Sequence, residues 1–298
     1  MHFAFMGATL FIVARGVSGG IEKAATWLMP AFFVLLIGIT IYGGVVGDVA
    51  GFAAATYLRG MRFAQVPTTL LAMMDSSIGG KTGVDLSEGK NLVGAFHHPQ
   101  FVLDDVRTLQ TLPERERISG WAEAIKHGLI ADDGLLRSFE VEGEAIRSLD
   151  GAVTTEIIAR SVAIKADVVS RDERETLGQR VLLNYGHTIA HALEAATGYE
   201  KYLHGEAVSI GMMGAAEVCR GLDMLTDADV DRQRRLLEAY GLPVRLDQTG
   251  LEGAISAAMA LDKKTVGGAI RCGPAASSLS SRRSASCRSS EATWSWPI

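Results

Sequence analysis

Two histidines four residues apart, in the stretch LLNYGHTIAHALE, set the strongest constraint on how this chain folds. Four residues make about one helical turn, so His187 and His191 are expected on the same face of a helix. A third imidazole, His204, follows in the stretch YLHGEAVSIG. A single helical histidine is more often a satisfied polar group than a metal ligand, but three histidines this close together favour a metal site.

The composition is that of a globular protein with a small-molecule ligand. The chain has 298 residues, of which 48% are hydrophobic, enough for a sizeable core. The formal net charge of -5 argues against a nucleic-acid surface, which needs clustered Lys and Arg. The 3 cysteines form no CxxC pair, so neither a disulfide framework nor a thiolate metal site is indicated. We therefore predict a cytoplasmic location and a small-molecule ligand.

The two ends of the chain differ from its middle. No charged residue lies between Lys23 and Asp48, and residues 24–42 are apolar enough to span a membrane, for which about 20 residues are required. We interpret residues 1–42 as a foreign hydrophobic segment with membrane contact, and GVSGGIEKAATWLMPAFFVLLIGI resembles a membrane segment of sodium-coupled neurotransmitter-type transporters. Residues 271–298 are rich in Ser and lack an apolar period, which predicts a disordered or out-of-frame tail.

The pattern of elements changes near Pro113. From 43 to 112, Gly-rich turns alternate with the short apolar runs FAQVP and FVLDD, interpreted as strands, and with DVAGFAAATYL, interpreted as a helix. After Pro113, Gly and Pro become rarer and long helical patterns continue to about residue 270. The predicted fold class is therefore α/β plus all-α, with an α/β domain over 43–112 and a helical domain over 113–270.

Two glycine-rich stretches lie in the first of these domains. GGVVGD predicts a turn before a helix that starts near Asp48, where free N–H groups would favour a phosphate, although a purely structural turn uses the same glycines. DSSIGGKTGVDLSEGKNLVG, from Asp75 to Gly94, is predicted to be a loop whose Lys81 and Lys90 hold an anion. Its GGKT is similar to a Walker A loop, but Asp75 stands where that motif needs Gly, which excludes a P-loop.

A carboxylate at Glu123 completes a candidate metal set. Glu123 lies among apolar residues in SGWAEAIKHG, and a carboxylate in such surroundings usually has a cation or a metal as its partner, although a solvated helix face is the alternative. With His187 and His204 it forms a two-His, one-carboxylate set, which a catalytic zinc accepts while leaving a position for a substrate oxygen. HTIAH also resembles the HExxH of metalloproteases, but Thr188 replaces the Glu that acts as general base there.

Five motifs together resemble the 3-dehydroquinate synthase family. In chain order they are GGVVGD, QVPTTLLAMMDSSIGGKTGVDLSEGKNLVGAFHHP, LPERERISGWAEAIKHG, LLNYGHTIAHALEAATGY and LHGEAVSIGM, within Gly43 to about Lys264. The resemblance implies a partial NAD-binding α/β domain followed by a helical metal-binding domain. It further implies a lyase of the shikimate pathway of aromatic amino acid and chorismate biosynthesis, which converts 3-deoxy-D-arabino-heptulosonate 7-phosphate to 3-dehydroquinate and phosphate. NAD and a divalent metal, zinc or cobalt, are the implied cofactors.

The resemblance also assigns roles to residues of this chain. It makes Glu123, His187 and His204 the metal ligands. The dinucleotide contacts that it implies are Gly44, Gly47, Asp48, Thr68, Thr69, Lys81, Lys90, Thr108 and Thr111. The substrate-binding and catalytic residues that it implies are Asp75, Asn91, Lys126, Lys165, Arg180, Asn184, His191 and Lys264. The cations in this last set suit a substrate that carries one carboxylate and one phosphate.

The match stops at Tyr42, which replaces the first glycine of a GGG triplet in the family, and family members carry further sheet and helix before that point. We therefore expect an incomplete NAD pocket and weak turnover. The alternatives left open are a metal-dependent polyol dehydrogenase with the same two-domain architecture, a metal-dependent hydrolase, and a membrane-anchored fragment that binds a metal or a phosphate. A homodimer is a further expectation.

Overall fold

The structure, a computed structural model, describes residues 43–86, 89–247, 250–261, 269–272 and 285–288. The hydrophobic segment predicted over 1–42 and the predicted site residue Lys264 lie outside the described residues. Among the helices that are described, none is long and apolar enough to cross a membrane. Within the tail that was expected to be disordered, strand Ala285–Arg288 pairs antiparallel with Ala269–Cys272.

The first helix, α1, spans Gly43–Thr56, so GGVVGD is helical and the predicted turn before Asp48 is wrong. Glycine costs a helix only about 1 kcal/mol per residue, and the Val, Phe and Ala residues that follow continue the helical pattern. The N–H groups of Gly47 and Asp48 lie beyond the first turn and are used inside the helix. These two residues therefore offer no free N–H donors to the phosphate expected at this position.

A β-hairpin replaces the loop that was predicted between Asp75 and Gly94. Strand β1, Lys81–Leu86, pairs antiparallel with β2, Gly89–Phe96, and α1 packs on this hairpin. The glycines allow the close approach of the two strands, since a Cβ atom on Gly94 would lie 2.3 Å from the carbonyl oxygen of Thr82. The glycine-rich composition predicted a loop, whereas the register of the hairpin requires glycine at this point.

The two runs predicted as strands, FAQVP and FVLDD, meet only in a single parallel bridge between Gln65 and Val102. The N–H of Gln65 donates to the carbonyl oxygen of Phe101 at 3.2 Å, and the N–H of Leu103 donates to that of Gln65 at 2.9 Å. One bridge is too short a ladder for a strand, so the prediction of two strands is wrong in detail. The predicted order, a first part with helix and sheet followed by a helical part, is confirmed.

A helix buried on nearly all sides lies at the centre of the second part. Helix α2, Glu114–Ala131, is buried continuously from Ser119 to Ile130. Its Trp121 packs edge to face on Phe139, with ring centroids 5.7 Å apart. The helices that follow are α3 (Asp133–Val141), α4 (Gly143–Arg147), α5 (Gly151–Arg171), α6 (His187–Ala196), α7 (His204–Gly221), α8 (Asp227–Ala239) and α9 (Glu252–Leu261). Because α2 is buried from Ser119 to Ile130, any polar residue in that part of the helix is removed from water.

Helices α6 and α7 touch each other and α2 through glycines. A Cβ atom on Gly211 would lie 2.1 Å from the carbonyl oxygen of Gly186, and one on Gly205 would lie 1.8 Å from that of Ser119. Gly186 itself has φ +78°, a conformation that favours glycine. These backbone contacts fix the first residues of the two helices, His187 and His204, against the centre of the fold.

Candidate active site

Glu123, His187 and His204 meet at one point of the helical part. Their candidate ligand atoms all lie within 4.8 Å of one another. His187 Nε2 is 3.5 Å and His204 Nε2 is 3.9 Å from Glu123 Oε1. The structure thus brings together a carboxylate from the middle of α2 and an imidazole from the start of each of α6 and α7.

These three residues fit a divalent metal. Glu123 is fully buried, and its Oε1 atom has no hydrogen-bond partner. A buried carboxylate oxygen without a partner costs more than 1–3 kcal/mol, roughly the penalty of an unsatisfied neutral group. A cation held between Oε1 and the two imidazoles would remove that penalty, and two His with one carboxylate is an accepted zinc ligand set.

The second nitrogen of each imidazole is held by a neighbouring acceptor. His204 Nδ1 lies 3.1 Å from Glu194 Oε1, and His187 Nδ1 lies 3.3 Å from the carbonyl oxygen of Tyr185. Such partners orient a ligand histidine and leave its Nε2 toward the metal. Burial lowers the pKa of His204, but the hydrogen bond to Glu194 and the charge of Glu123 outweigh it and raise the pKa. Its spacing of seven from His187 predicts Glu194 on the same helical face, but the sequence alone gives it no role.

Two buried lysine–carboxylate pairs lie next to the metal set. Lys126 donates to Glu123 Oε2, and Lys165 donates to the carboxylate of Asp75 and, at 2.5 Å, to its carbonyl oxygen. Burial alone would raise the pKa of Asp75, but the charges of Lys165 and Lys126 outweigh it and hold the pKa well below its usual range. Asp75, Lys126 and Lys165, all predicted to bind substrate, are therefore in one cluster with Glu123.

His127 lies in this cluster and has no partner on either ring nitrogen. It is fully buried, and one of its nitrogens is within 4.8 Å of ligand atoms of both Asp75 and Glu123. Burial and then the charge of Lys126 lower its pKa well below the usual value, so it is neutral at physiological pH. The lysines already pair with both carboxylates, which argues against a second cation at this group.

Arg180 and Lys81 approach each other through an acidic loop between α5 and α6. Arg180 Nη1 donates to the carbonyl oxygen of Glu173 at 2.8 Å, and Arg180 Nε lies 3.5 Å from Glu175 Oε1. The same Glu175 oxygen accepts from Lys81 Nζ at 2.7 Å. Glu175 thus links a residue predicted to bind the dinucleotide to one predicted to bind the substrate. No sequence motif singled out Glu175.

His191 lies beside the metal set. Its ring centroid is 5.5 Å from that of His187 and 6.3 Å from that of His204. Asn184 ends a 3-10 turn, Gln179–Asn184, that begins one residue before Arg180. Asn184 is therefore on the segment that enters α6, and His191 is within α6 itself. Asn91 lies in β2, in the part of that strand of which the backbone alone is described, and Lys264 is outside the described residues.

The predicted dinucleotide residues are distributed over several elements of the first part. Thr69 Oγ1 accepts from the N–H of Ala72 at 3.2 Å. At the 3-10 turn Val106–Thr111, the hydroxyl of Thr108 donates to the carbonyl oxygen of Asp105 at 2.8 Å and that of Thr111 donates to the carbonyl oxygen of Thr108 at 3.0 Å. These hydroxyls therefore already stabilise local turns. The other predicted dinucleotide residues lie in α1 (Gly44, Gly47 and Asp48), directly before Thr69 (Thr68), at the start of β1 (Lys81) and in β2 (Lys90, of which the backbone alone is described).

Comparison with known proteins gives consistent matches along most of the chain. The N-terminal domain model of 3-dehydroquinate synthase matches residues 34–119, and the C-terminal domain model matches residues 120–265. The 3-dehydroquinate synthase of Nitrosospira multiformis is 53% identical over 233 residues, which are 78% of this chain and 63% of the relative. The chain therefore spans less than two thirds of the length of that relative.

Two solved structures share the fold. The 2-epi-5-epi-valiolone synthase of Streptomyces hygroscopicus subsp. jinggangensis, solved with NAD+ and Zn2+ bound, has a TM-score of 0.71 and 27% identity and covers 83% of this chain and 74% of its own. A 2-deoxy-scyllo-inosose synthase, complexed with carbaglucose-6-phosphate, NAD+ and Co2+, has a TM-score of 0.69 and 30% identity and covers 78% of this chain and 66% of its own.

Proposed function

We propose that this chain, which belongs to the 3-dehydroquinate synthase family, acts in the conversion of 3-deoxy-D-arabino-heptulosonate 7-phosphate to 3-dehydroquinate and phosphate. The observation that carries the proposal is the convergence of Glu123, His187 and His204 beside two buried lysine–carboxylate pairs. A metal set of this kind suits an oxygen-bearing substrate, and the surrounding cations suit an anionic one. The reaction is that of a lyase in the shikimate pathway.

Glu123 Oε1 and the Nε2 atoms of His187 and His204 would hold the divalent metal, zinc or cobalt. When bound, the metal supplies the Lewis acidity that polarises a substrate hydroxyl or ketone oxygen. Glu194 and the carbonyl oxygen of Tyr185 keep both imidazoles in the required orientation. Because α2 is buried around Glu123, water is kept from this side of the site, which strengthens every charge interaction there.

Lys126 and Lys165 would bind substrate oxygens with the donors that their carboxylate partners leave free. A lysine ammonium has three N–H donors, and the pairs with Glu123 and Asp75 use only part of this capacity. Asp75 keeps its negative charge, since its pKa is held well below the usual range. It is therefore suited to accept a hydrogen bond from a substrate hydroxyl and orient it, and poorly suited to remove a proton.

The cations distinguish this proposal from the alternative of a metal-dependent polyol dehydrogenase. A neutral polyol would have no charged group to offer to the donors that two buried lysines and a buried arginine keep free beside their own carboxylate partners. Lys126, Lys165 and Arg180 instead match a substrate that brings a carboxylate and a phosphate. The same argument applies to a hydrolase acting on a neutral bond.

NAD is the second cofactor that we propose, on the grounds that both solved neighbours were determined with it. Its contacts would come from the first part of the chain, at the residues assigned by the family resemblance. We further propose a cytoplasmic location, since NAD and a phosphorylated sugar acid are cytoplasmic metabolites. Homodimer formation and membrane contact through residues 24–42 stay predictions.

The experiment that tests the proposal measures release of inorganic phosphate from the heptulosonate phosphate in the presence of NAD and Zn2+ or Co2+. Release above the enzyme-free background, lost in Glu123→Gln, is expected, because the variant lacks the charged ligand that the metal requires. Absorption of bound Co2+ in the wild type and in Glu123→Gln reports the metal site separately from turnover. Phosphate release that is equal in the two proteins would contradict the proposal.

A further inference from the structure

We infer that Arg115 is a positioning residue, which acts through Glu206 and the carbonyl oxygen of Lys201 to hold His204 at the position that a divalent metal requires. The inference rests on the proposed function, because the metal is the one that the proposed active site would bind. Arg115 and Glu206 belong to neither the metal set nor the residues that the family resemblance assigns.

A row of three residues on α2 meets the first three residues of α7. The members of the row are spaced by four residues, about one helical turn, so they share one face of α2. They are Arg115, Ser119 and Glu123. In the same order they contact Glu206, Gly205 and His204, the third, second and first residues of α7. The position of His204 therefore depends on how this row is aligned with α7.

The guanidinium of Arg115 holds the chain on both sides of His204. Its Nε and Nη2 donate to the two carboxylate oxygens of Glu206 at 2.7 and 2.8 Å, and Nη2 also donates to the carbonyl oxygen of Lys201 at 2.9 Å. Glu206 Oε2 in turn accepts from the N–H of Leu203, the residue before His204, at 2.9 Å. A bidentate pair fixes direction as well as distance, so the first turn of α7 is held in one orientation.

The packing of Gly205 on Ser119 does not set that orientation by itself. This contact fixes how closely α7 approaches α2, but a helix held at one point can still turn about it. Arg115 adds a second attachment one helical turn further along α2. A metal site requires its ligands to be held within about 0.5 Å, so a small rotation of α7 is enough to displace the imidazole of His204.

The pair of Arg115 with Glu206 matters more for geometry than for stability. The side chain of Arg115 is 59% exposed, and exposed ion pairs contribute little to stability. Glu206 can keep its hydrogen bond from the N–H of Leu203 when the arginine is removed. Arg115→Ala should therefore unfold at almost the same urea concentration as the wild type. A change at the metal site is then an effect of position.

Arg232 provides a matched control in another part of the fold. Its Nε and Nη2 donate to the two carboxylate oxygens of Glu140 at 2.6 and 3.0 Å, which joins α8 to α3. Neither of these two helices carries a residue of the metal set. Arg232→Ala thus removes a bidentate pair of the same kind without changing a contact at the start of α7.

The first test is calorimetric titration of Co2+ into the full chain and its Arg115→Ala, Arg115→Lys and Arg232→Ala variants. We expect Arg115→Ala to weaken Co2+ binding about tenfold, the lower end of the effect of residues that orient a metal ligand. Arg115→Lys should recover part of the affinity, because lysine keeps the charge but lacks the planar fork. Arg232→Ala should bind Co2+ like the wild type.

Nuclear magnetic resonance of the metal-free proteins tests the position of the imidazole directly. The ring nitrogen resonances of His204 should shift in Arg115→Ala, because the contact of its Nδ1 with Glu194 changes when α7 turns. The resonances of His187, which begins α6, should change much less. In Arg232→Ala the resonances of both histidines should stay as in the wild type.

Equal Co2+ affinity of Arg115→Ala and the wild type would overturn the inference. An equal loss of affinity in Arg232→Ala would overturn it as well, because the effect would then be general. Unchanged resonances of His204 in Arg115→Ala, or equal shifts of His187 and His204, would have the same meaning. If no protein binds Co2+ and the shift is still confined to His204, the proposed function fails and the role of Arg115 stands.

Discussion

Gly205→Ala adds one methyl group at the point where α7 meets α2. The added Cβ would lie 1.8 Å from the carbonyl oxygen of Ser119, whereas ordinary contacts begin at 3.4 Å. That oxygen belongs to the buried middle of α2 and has no room to move. The start of α7, including His204, must therefore shift by roughly 1.6 Å, the difference between these two distances.

The cost of this shift follows from three contributions. Overpacking a close-packed interior costs about 1–3 kcal/mol. The N–H of Gly205 also donates to Ser119 Oγ at 3.0 Å, and the loss of such a bond costs about 1 kcal/mol. The better helix propensity of alanine returns about 1 kcal/mol. We expect a net loss of about 2 kcal/mol in the free energy of unfolding.

Urea unfolding without metal, followed by circular dichroism, measures the loss. Gly221→Ala is the matched control, because it makes the same change at the last residue of the same helix, where a Cβ atom has no neighbour within 4 Å. It should be as stable as the wild type or more stable. The displacement of His204 should also weaken Co2+ binding in Gly205→Ala by at least about tenfold, since ligand geometry sets metal affinity.

Equal stability of the two variants, within about 0.5 kcal/mol, the usual range of harmless substitutions, would refute the packing argument. Loss of stability with unchanged Co2+ affinity would show that the histidine position does not depend on this contact. Only the loss of both in Gly205→Ala, with neither lost in Gly221→Ala, agrees with the reasoning.

Three further predictions concern single side chains. Glu194→Gln removes the carboxylate charge next to His204 Nδ1 and should lower the affinity for Co2+ about 10- to 100-fold, as measured by cobalt absorption. An affinity equal to that of the wild type would contradict this role. His127→Leu removes two buried ring nitrogens that have no hydrogen-bond partner. It should raise the free energy of unfolding, measured in urea, by roughly 1 kcal/mol. A clear decrease of that free energy would contradict the prediction. Burial raises the pKa of Asp104 to about 6, above the unfolded value of 3.8. Folding therefore favours the protonated carboxyl, and the wild type should lose stability as the pH rises from about 4 to 6. Asp104→Asn should abolish that loss, roughly 1 kcal/mol after a discount for partial exposure, and parallel stability curves of the two proteins between these pH values would refute the assignment.

The sequence predicts the centre of this fold better than its edges. Glu123, His187 and His204 could be grouped because two-His, one-carboxylate sets have a chemical purpose and because long motifs of a known family surround them. Their joint position is a matter of helix packing, which spacing alone does not give. The hairpin over 81–96 was missed because a glycine-rich stretch is typical of a loop, whereas here glycine permits two strands to lie close together.

Glu175 and Glu194 show a second reason why part of the site could not be predicted. Each makes a contact that is long-range in sequence or crosses between elements: Glu175 with Lys81, 94 residues away, and Glu194 with the first residue of α7. The sequence places Glu194 on the helical face of the histidines, but it gives neither acid a partner. The start of helix α1 was predicted too late, near Asp48, because the glycines of GGVVGD were interpreted locally as a turn. In the structure these glycines belong to the helix that begins at Gly43.

The two buried lysine–carboxylate pairs have a consequence for the order in which the protein is assembled. Asp75 and Glu123 balance Lys165 and Lys126, and His127 is neutral, so this interior carries no net charge before any ion arrives. Newly made chains can therefore fold around it without waiting for metal. Loading of a divalent ion then leaves a surplus of two positive charges, and the arrival of a doubly charged anion restores neutrality.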